Sequence, residues 1–342
     1  MQVQTCRSKE PAMPCTPDLE RFRFDAALAA GVVGRRVLIT GSGKDGGIGQ
    51  AFALAAGLNG AKSVCVHFHR HYNDGFDLVN ALRAKGIEAF PMQADVTNMG
   101  DLWATRSYVI EQMGGLPPDL VICNSGLTEK GYSFGRALKD VDGEPAAVRR
   151  ARVRQHFIDN LEESRLVLDT KIDGFLAMTH LWAGEALHAK TTLRIVYVSS
   201  RQAIDPGASV PGYAISNWAV LQLPKVLSVN LGKLSDAVSA CSVLYPFVRT
   251  GMTDEYAGNE RVFGRWQPRM LETHEAAEAF LQLLARPADE TNHGMYELMV
   301  DGTPADTSVT WRRVRLEPVA EEQSWSTESP LRYQSESPLR YQ

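Results

Sequence analysis

From Arg36 onward, short β-branched apolar runs alternate with helix-patterned segments, and this alternation leaves few folds open to the chain. Arg36 to Thr40 is the first run; a Gly-rich loop and a helical stretch from Ile48 to Leu58 follow. Ser63 to His69 and Leu78 to Lys85 repeat the pair. Glu88 to Ala94, Leu120 to Cys123 and Arg194 to Val198 read as further strands. A long helical segment over Tyr213 to Leu231 precedes a strand at Ala240 to Leu244, a helix at His274 to Leu284 and a last strand at Tyr296 to Val300. Unbroken apolar strands belong to a sheet buried on both faces, and the helices between them supply right-handed crossovers. The expectation is an α/β fold, a doubly wound parallel sheet in a single domain. Its ligand would lie outside the carboxyl ends of the strands. Functional side chains should therefore follow the strands directly.

The alternation does not use all 342 residues. Residues 1–33 are expected to form an N-terminal extension, 34–304 the α/β domain and 305–342 a tail. The tail ends in a duplication, Glu328 to Gln334 and Glu336 to Gln342, both reading Glu-Ser-Pro-Leu-Arg-Tyr-Gln. Two copies are too few for a stacked repeat. A charged stretch at about 127–168, with Arg149, Arg150, Arg152 and Arg154 close together, reads as inserted helices. The 36 basic and 40 acidic residues give a net charge of −4, which leaves no electrostatic footprint for nucleic acid or an anionic membrane. No apolar run approaches the ~20 residues that span a bilayer, and the start lacks the apolar stretch of a secretory signal. A cytoplasmic protein is expected, with neither nucleic acid nor membrane as a partner. The cysteines are scattered, without a Cys-x-x-Cys pair, so neither a disulfide framework nor a metal site is indicated. Cys65 and Cys123, inside apolar runs, are expected in the core.

The loop after the first strand reads Thr40-Gly41-Ser42-Gly43-Lys44-Asp45-Gly46-Gly47-Ile48-Gly49 and opens a helix. Glycines there let the backbone turn tightly and approach a pyrophosphate, which the helix N-terminus attracts. Thr40, Gly41, Ser42, Gly43, Lys44, Gly47, Ile48 and Gly49 are the candidate contacts. At the end of the second strand, where a carboxylate would hold a ribose 2′-hydroxyl, the chain has His69-Arg70. Arg70, with help from Lys44 or His71, could hold a 2′-phosphate, so NADPH is the expected cofactor. Asp95-Val96 follows the third strand, where a carboxylate can accept from an adenine amino group.

Together with Asn124-Ser125-Gly126, Ser200 and Tyr213, these motifs resemble the series found in the short-chain dehydrogenase/reductase superfamily, over roughly Arg36 to Asp301. The resemblance implies a Rossmann-type fold, a nicotinamide cofactor and redox chemistry between a ketone and an alcohol. It adds Asn124, Ser125 and Gly126 to the cofactor site. Val248-Arg249-Thr250 looks like the segment that holds the nicotinamide carboxamide, through Val248 and Thr250. The Gly-rich loop is longer than the family's usual one by two residues.

Ketone reduction needs a hydride and a proton, and a tyrosine can give the proton if a cation lowers its pKa. Ser200 and Tyr213 stand at the family spacing. Most of the family has Tyr-x-x-x-Lys, but here the segment is Tyr213-Ala214-Ile215-Ser216-Asn217; Lys171, three residues before Gly174, takes the place where most members carry asparagine. This exchange resembles the ketoreductase domains of modular polyketide synthases and animal fatty acid synthase, which implies a Lys171–Ser200–Tyr213–Asn217 active site. The lysine can reach the tyrosine from either helix. The loop Leu127-Thr128-Glu129-Lys130 and Asp205 do not match the stereochemical fingerprints of the polyketide domains, and too little chain precedes Arg36 for their structural half. The expected protein is a freestanding, NADPH-dependent ketoreductase of a polyketide-like β-keto substrate. That small-molecule ketone is free or carried by an acyl carrier protein that the arginine cluster could meet. A homodimer or homotetramer is implied by the resemblance. Tyr245, Phe247, Tyr256, Phe263 and Trp266 are candidates for an apolar pocket. A general carbonyl or alcohol oxidoreductase and a non-catalytic nicotinamide-binding scaffold remain alternatives.

Overall fold

The computed structural model describes residues 19–129, 139, 141–206, 210–231, 236–254, 270–303 and 306–315. The strands are β1 (Arg36–Ile39), β2 (Ser63–Phe68), β3 (Ala89–Gln93), β4 (Leu120–Cys123), β5 (Leu193–Ser200), β6 (Val238–Tyr245), β7 (Met295–Thr303) and β8 (Asp306–Val314). They form one sheet in the order β3-β2-β1-β4-β5-β6-β7-β8. Every pairing is parallel except β7 with β8. The order reverses between β1 and β4, so the carboxyl ends of these two strands open the crevice in which such sheets hold ligands. The long helices are α1 (Ile48–Leu58), α2 (Tyr72–Ala84), α3 (Met99–Gln112), α4 (Ala146–Leu168), α5 (Gly174–Ala189), α6 (Pro211–Val220), α7 (Leu223–Leu231) and α8 (Thr273–Leu284).

Successive strand residues alternate between two cores, one on each face of the sheet. Val37 and Ile39 of β1 enter one core, and Leu38 enters the other. Cys65, Cys123 and Cys241 are buried with free thiols. Among the described residues no helix is long and apolar enough to cross a membrane.

The departures from expectation have local causes. Helix α2 begins at Tyr72, earlier than the apolar pattern indicates, because Gly75 reads as a break. A Cβ on Gly75 would lie 2.3 Å from the Phe68 ring, so glycine is what lets α2 lie directly on β2. Helix α3, which the apolar pattern does not reveal, is announced by Asn98, whose side chain accepts from the amides of Gly100 and Asp101. The single helix expected over Tyr213 to Leu231 is two. Pro224 has no N–H to continue the first helix and is tolerated in the first turn of the second. The expected tail boundary at 304/305 falls in a hairpin: Asp306–Val314 pairs along β7 and belongs to the sheet. Residues of the expected N-terminal extension also pack, since Leu28 and Val32 enter a core. The duplicated tail segments, residues 130–138, Tyr256, Phe263 and Trp266 lie outside the described residues.

The charged insert, expected as inserted helices, holds helix α4 over Ala146–Leu168, and the expectation did not include its junction with the next helix. Helix α4 runs through a five-residue π-helical turn, Asp169–Asp173, straight into α5. The added length extends the helix that carries Lys171. A π turn inside an α-helix inserts an extra residue and re-aims side chains, and such turns recur at functional sites.

Candidate active site

Gly41 takes a positive φ of 65° at the carboxyl end of β1, a conformation in which glycine has no Cβ penalty. Its N–H donates to His67 Nδ1 at 3.1 Å, and His67 Nε2 donates to the Ala94 carbonyl at 3.1 Å. One imidazole thus joins the Gly-rich loop to the end of β3. Because Nδ1 accepts, the ring is neutral, and burial pushes its pKa down to about 4. Thr40 Oγ1 accepts from the amides of Asn124 (2.8 Å) and Ser125 (2.9 Å), while Asn124 Nδ2 donates to the Thr40 carbonyl at 3.1 Å. The loops after β1 and β4 therefore meet at the switch point. A Cβ on Gly49 would lie 2.5 Å from Asn124 Nδ2, and one on Gly43 2.5 Å from Phe68 Cβ. Gly47, the N-cap of α1, makes no side-chain capping bond, which leaves first-turn N–H groups and the positive helix end for an anion. This uncapped helix behind closely packed glycines fits a dinucleotide diphosphate.

Around the expected adenosine side, Arg70 is exposed after β2. Asp95 Oδ1 accepts from Thr97 N and Oγ1 at 2.9 and 2.8 Å, and His69 Nδ1 lies 3.6 Å from Oδ2. Burial pulls the Asp95 pKa upward, but the Thr97 hydrogen bonds and the charges of His69 and Arg70 outweigh it, so the carboxyl stays below its ordinary value. Lys44 was expected to assist Arg70. Its side chain reaches the other way, across to the 248–251 segment, where a Cβ on Gly251 would lie 3.3 Å from Nζ. In that segment Val248 bridges to Leu271, and Thr253 Oγ1 donates to the carbonyls of Val248 (3.0 Å) and Thr250 (2.8 Å).

Ser200 closes β5, and its Oγ accepts from Gln202 N at 3.2 Å. Ser199 Oγ donates to the Asn217 carbonyl at 2.9 Å, fastening α6 to the end of β5. Tyr213 lies in the first turn of α6. Its hydroxyl faces the side chains of Ser200 and Asn217, both of which favour the ionised phenol. Asn217 is fully buried; its Nδ2 donates to the Tyr213 carbonyl at 2.8 Å, and its Oδ1 has no partner. A buried acceptor left unpaired costs about 1–3 kcal/mol, so this oxygen invites a donor. Lys171 is 4% exposed, with Nζ 5.0 Å from the centre of the Phe175 ring and close to Gly126. Burial brings its pKa down to about 7.

The structure brings Ser200, Tyr213 and Asn217 together and places Lys171 beside the β4 loop. The expected cation effect on Tyr213 is not found. Burial raises the phenol above its ordinary value, the Ser200 and Asn217 side chains offset this only in part, and Lys171 is not among the groups acting on it. Tyr213 therefore holds its proton at neutral pH, in the form that can donate it. Tyr245, a pocket candidate, is a core residue instead: it packs against Phe52 and Trp311 and donates to the Ala276 carbonyl at 3.2 Å. His67 escaped sequence reasoning. Its one sequence signal was a polar side chain inside the otherwise apolar run Val64 to Phe68.

The model of the short chain dehydrogenase family matches residues 35–261. The chain belongs to this family. Membership makes it an oxidoreductase acting on a carbonyl or alcohol group. This short-chain dehydrogenase is similar to versicolorin reductase 1 of Dothistroma septosporum, 34% identical over 65% of this chain and 70% of that one. It is 39% identical to versicolorin reductase 1 of Aspergillus parasiticus, over 60% of this chain and 68% of that one. Among solved structures it shares its fold with a gluconate 5-dehydrogenase from Burkholderia cenocepacia in complex with NADP and tartrate. That likeness has a TM-score of 0.60, with 19% identity over 79% of this chain and 96% of that one.

Proposed function

We propose that this short-chain dehydrogenase is an NADPH-dependent ketoreductase that reduces a ketone of a polyketide-like β-keto substrate to an alcohol in secondary metabolism. The observation that carries the reading is the contact of Ser200, Tyr213 and Asn217 next to a buried Lys171, the lysine and asparagine standing in exchanged places. The two relatives named versicolorin reductase 1 support a reductase of secondary metabolism.

Thr40, Gly41, Ser42, Gly43, Gly47, Ile48 and Gly49 would hold the dinucleotide diphosphate, with Lys44 closing over it from the loop. Arg70 would take the 2′-phosphate, Asp95 and Val96 the adenine, Asn124, Ser125 and Gly126 the adjoining ribose, and Val248 and Thr250 the carboxamide. When bound, NADPH supplies the hydride. Ser200 and Tyr213 hold the substrate oxygen, and Tyr213 gives its proton to the developing alkoxide. Ser200 and Asn217 stabilise the phenolate left behind. Lys171, with a pKa near neutrality, returns the proton to the phenolate through a water that Asn217 Oδ1 can hold.

The extended helix α4 supports a partner. Arg149, Arg150 and Arg154 line an open groove with Val153, Phe157 and Leu161. A basic, apolar face of this kind suits an acidic carrier protein or a second copy in a homodimer or homotetramer. A cytoplasmic location agrees with the soluble cofactor.

The test is to follow NADPH oxidation with a panel of β-keto esters and multi-ring phenolic ketones, then compare a free thioester with a carrier-protein thioester. Turnover with NADPH at least tenfold better than with NADH is expected. Binding of NADPH without turnover of any ketone would reject the enzyme reading.

A further inference from the structure

Glu129 lies in the loop after β4, is fully buried and touches two helices at once. Its Oε1 accepts from Ser164 Oγ of α4 at 2.9 Å and from the Gly212 N–H; its Oε2 accepts from the Tyr213 N–H at 3.2 Å. The two amides belong to the first turn of α6, where no intrahelical acceptor exists and the helix end is positive. Val210, the N-cap, makes no side-chain capping bond, so the cap comes from Glu129, far away in sequence. Packing fixes the arrangement. A Cβ on Gly212 would lie 2.7 Å from Glu129 Oε1 and 2.8 Å from the Ser164 carbonyl, so only glycine lets α6 approach this closely.

We propose that Glu129 is a positioning residue for ketone reduction: its carboxylate sets the first turn of α6 and so the place of the Tyr213 hydroxyl between Ser200 and Asn217. The proposal rests on the functional reading above and adds a residue that touches neither substrate nor cofactor. It also gives the helical insert a role. Through Ser164, α4 holds the carboxylate against the catalytic helix. A displacement of the tyrosine by a fraction of an ångström is enough to slow a positioned proton transfer.

The test uses Glu129→Gln, which keeps the shape but puts an NH2 group where one of the accepting oxygens was, and Glu129→Ala as a second variant. The kcat for ketone reduction with NADPH should fall about 10- to 100-fold in Glu129→Gln and further in Glu129→Ala, while the KM for NADPH stays within about threefold. Hydrogen exchange should quicken at least about tenfold at Gly212 and Tyr213 in both variants and stay unchanged along β5. An unchanged kcat in an active protein overturns the proposal, and so does faster exchange spread evenly over the sheet. If the wild-type protein reduces no ketone, the functional reading fails on its own, and the exchange pattern still decides whether Glu129 sets the turn that carries Tyr213.

Discussion

His67 Nδ1 accepts the Gly41 N–H at 3.1 Å, and this bond adds a side-chain tie to the bonds with the His67 backbone by which Ser42 already joins the cofactor loop to the neighbouring strand. The bond requires an unprotonated Nδ1. Its partner bond, from Nε2 to the Ala94 carbonyl at 3.1 Å, uses the one proton of the neutral ring. Protonation of His67 therefore costs Gly41 its side-chain acceptor, while the Ser42 bonds to the His67 backbone remain.

Acid should loosen the protein in a window set by this histidine. The folded-state pKa of about 4 lies below the ordinary 6.5, so the unfolded chain takes up the proton first as pH falls. Stability contributed by the neutral ring is complete above pH 6.5, declines between 6.5 and about 4, and is gone below that, a loss of ~3 kcal/mol. Urea unfolding at stepped pH should show this decline. His67→Asn, which keeps an acceptor for Gly41 but does not titrate, should flatten it.

Lys171→Met should make the protein more stable and less active. Burial lowers the lysine from 10.5 to about 7, so the unfolded chain holds the proton more tightly throughout that interval. The cost to stability is therefore full below about pH 7 and fades as pH rises to 10.5. Removing the amine should recover up to ~5 kcal/mol at neutral pH and nothing at the alkaline end. Thermal melts at pH 7 and pH 10 check the direction. A variant that melts no higher at pH 7 would show that the amine is not buried as charge-excluding as described.

Tyr213→Phe should lower turnover by about 100- to 10,000-fold while NADPH affinity, read from the quenching of cofactor fluorescence, stays nearly intact. The phenol's contacts with Ser200 and Asn217 serve the proton transfer, and no cofactor-loop residue depends on them. Activity close to wild type would remove Tyr213 from the mechanism.

Arg70→Ser should reduce kcat/KM with NADPH about 10- to 100-fold and leave the value with NADH within about threefold, because a charge-assisted contact to a 2′-phosphate is lost while Asp95 keeps its Thr97 bonds. Lys44→Ala should instead weaken both cofactors alike, since Lys44 points away from Arg70 towards Gly251. Parallel kinetics with the two cofactors separate these outcomes.

The elements legible in the sequence were those whose signal is local. The apolar runs at β1 and β4, the glycines before α1 and the Ser200–Tyr213 spacing each follow from a few adjacent residues, and they were enough to place the chain in the α/β class and the candidate residues at the strand ends. The lysine–asparagine exchange was legible only through the resemblance to the short-chain dehydrogenases. Tertiary structure decided what depends on contacts between distant segments. Glu129 caps α6 from a distant part of the chain, His67 is bonded to the glycine loop after β1, and α4 runs into α5 through the π turn at Asp169–Asp173. The charge state of the site belongs to the same group. A lysine near neutrality and a tyrosine held in its protonated form result from burial, and burial is a property of the packed molecule that no residue's immediate neighbours encode.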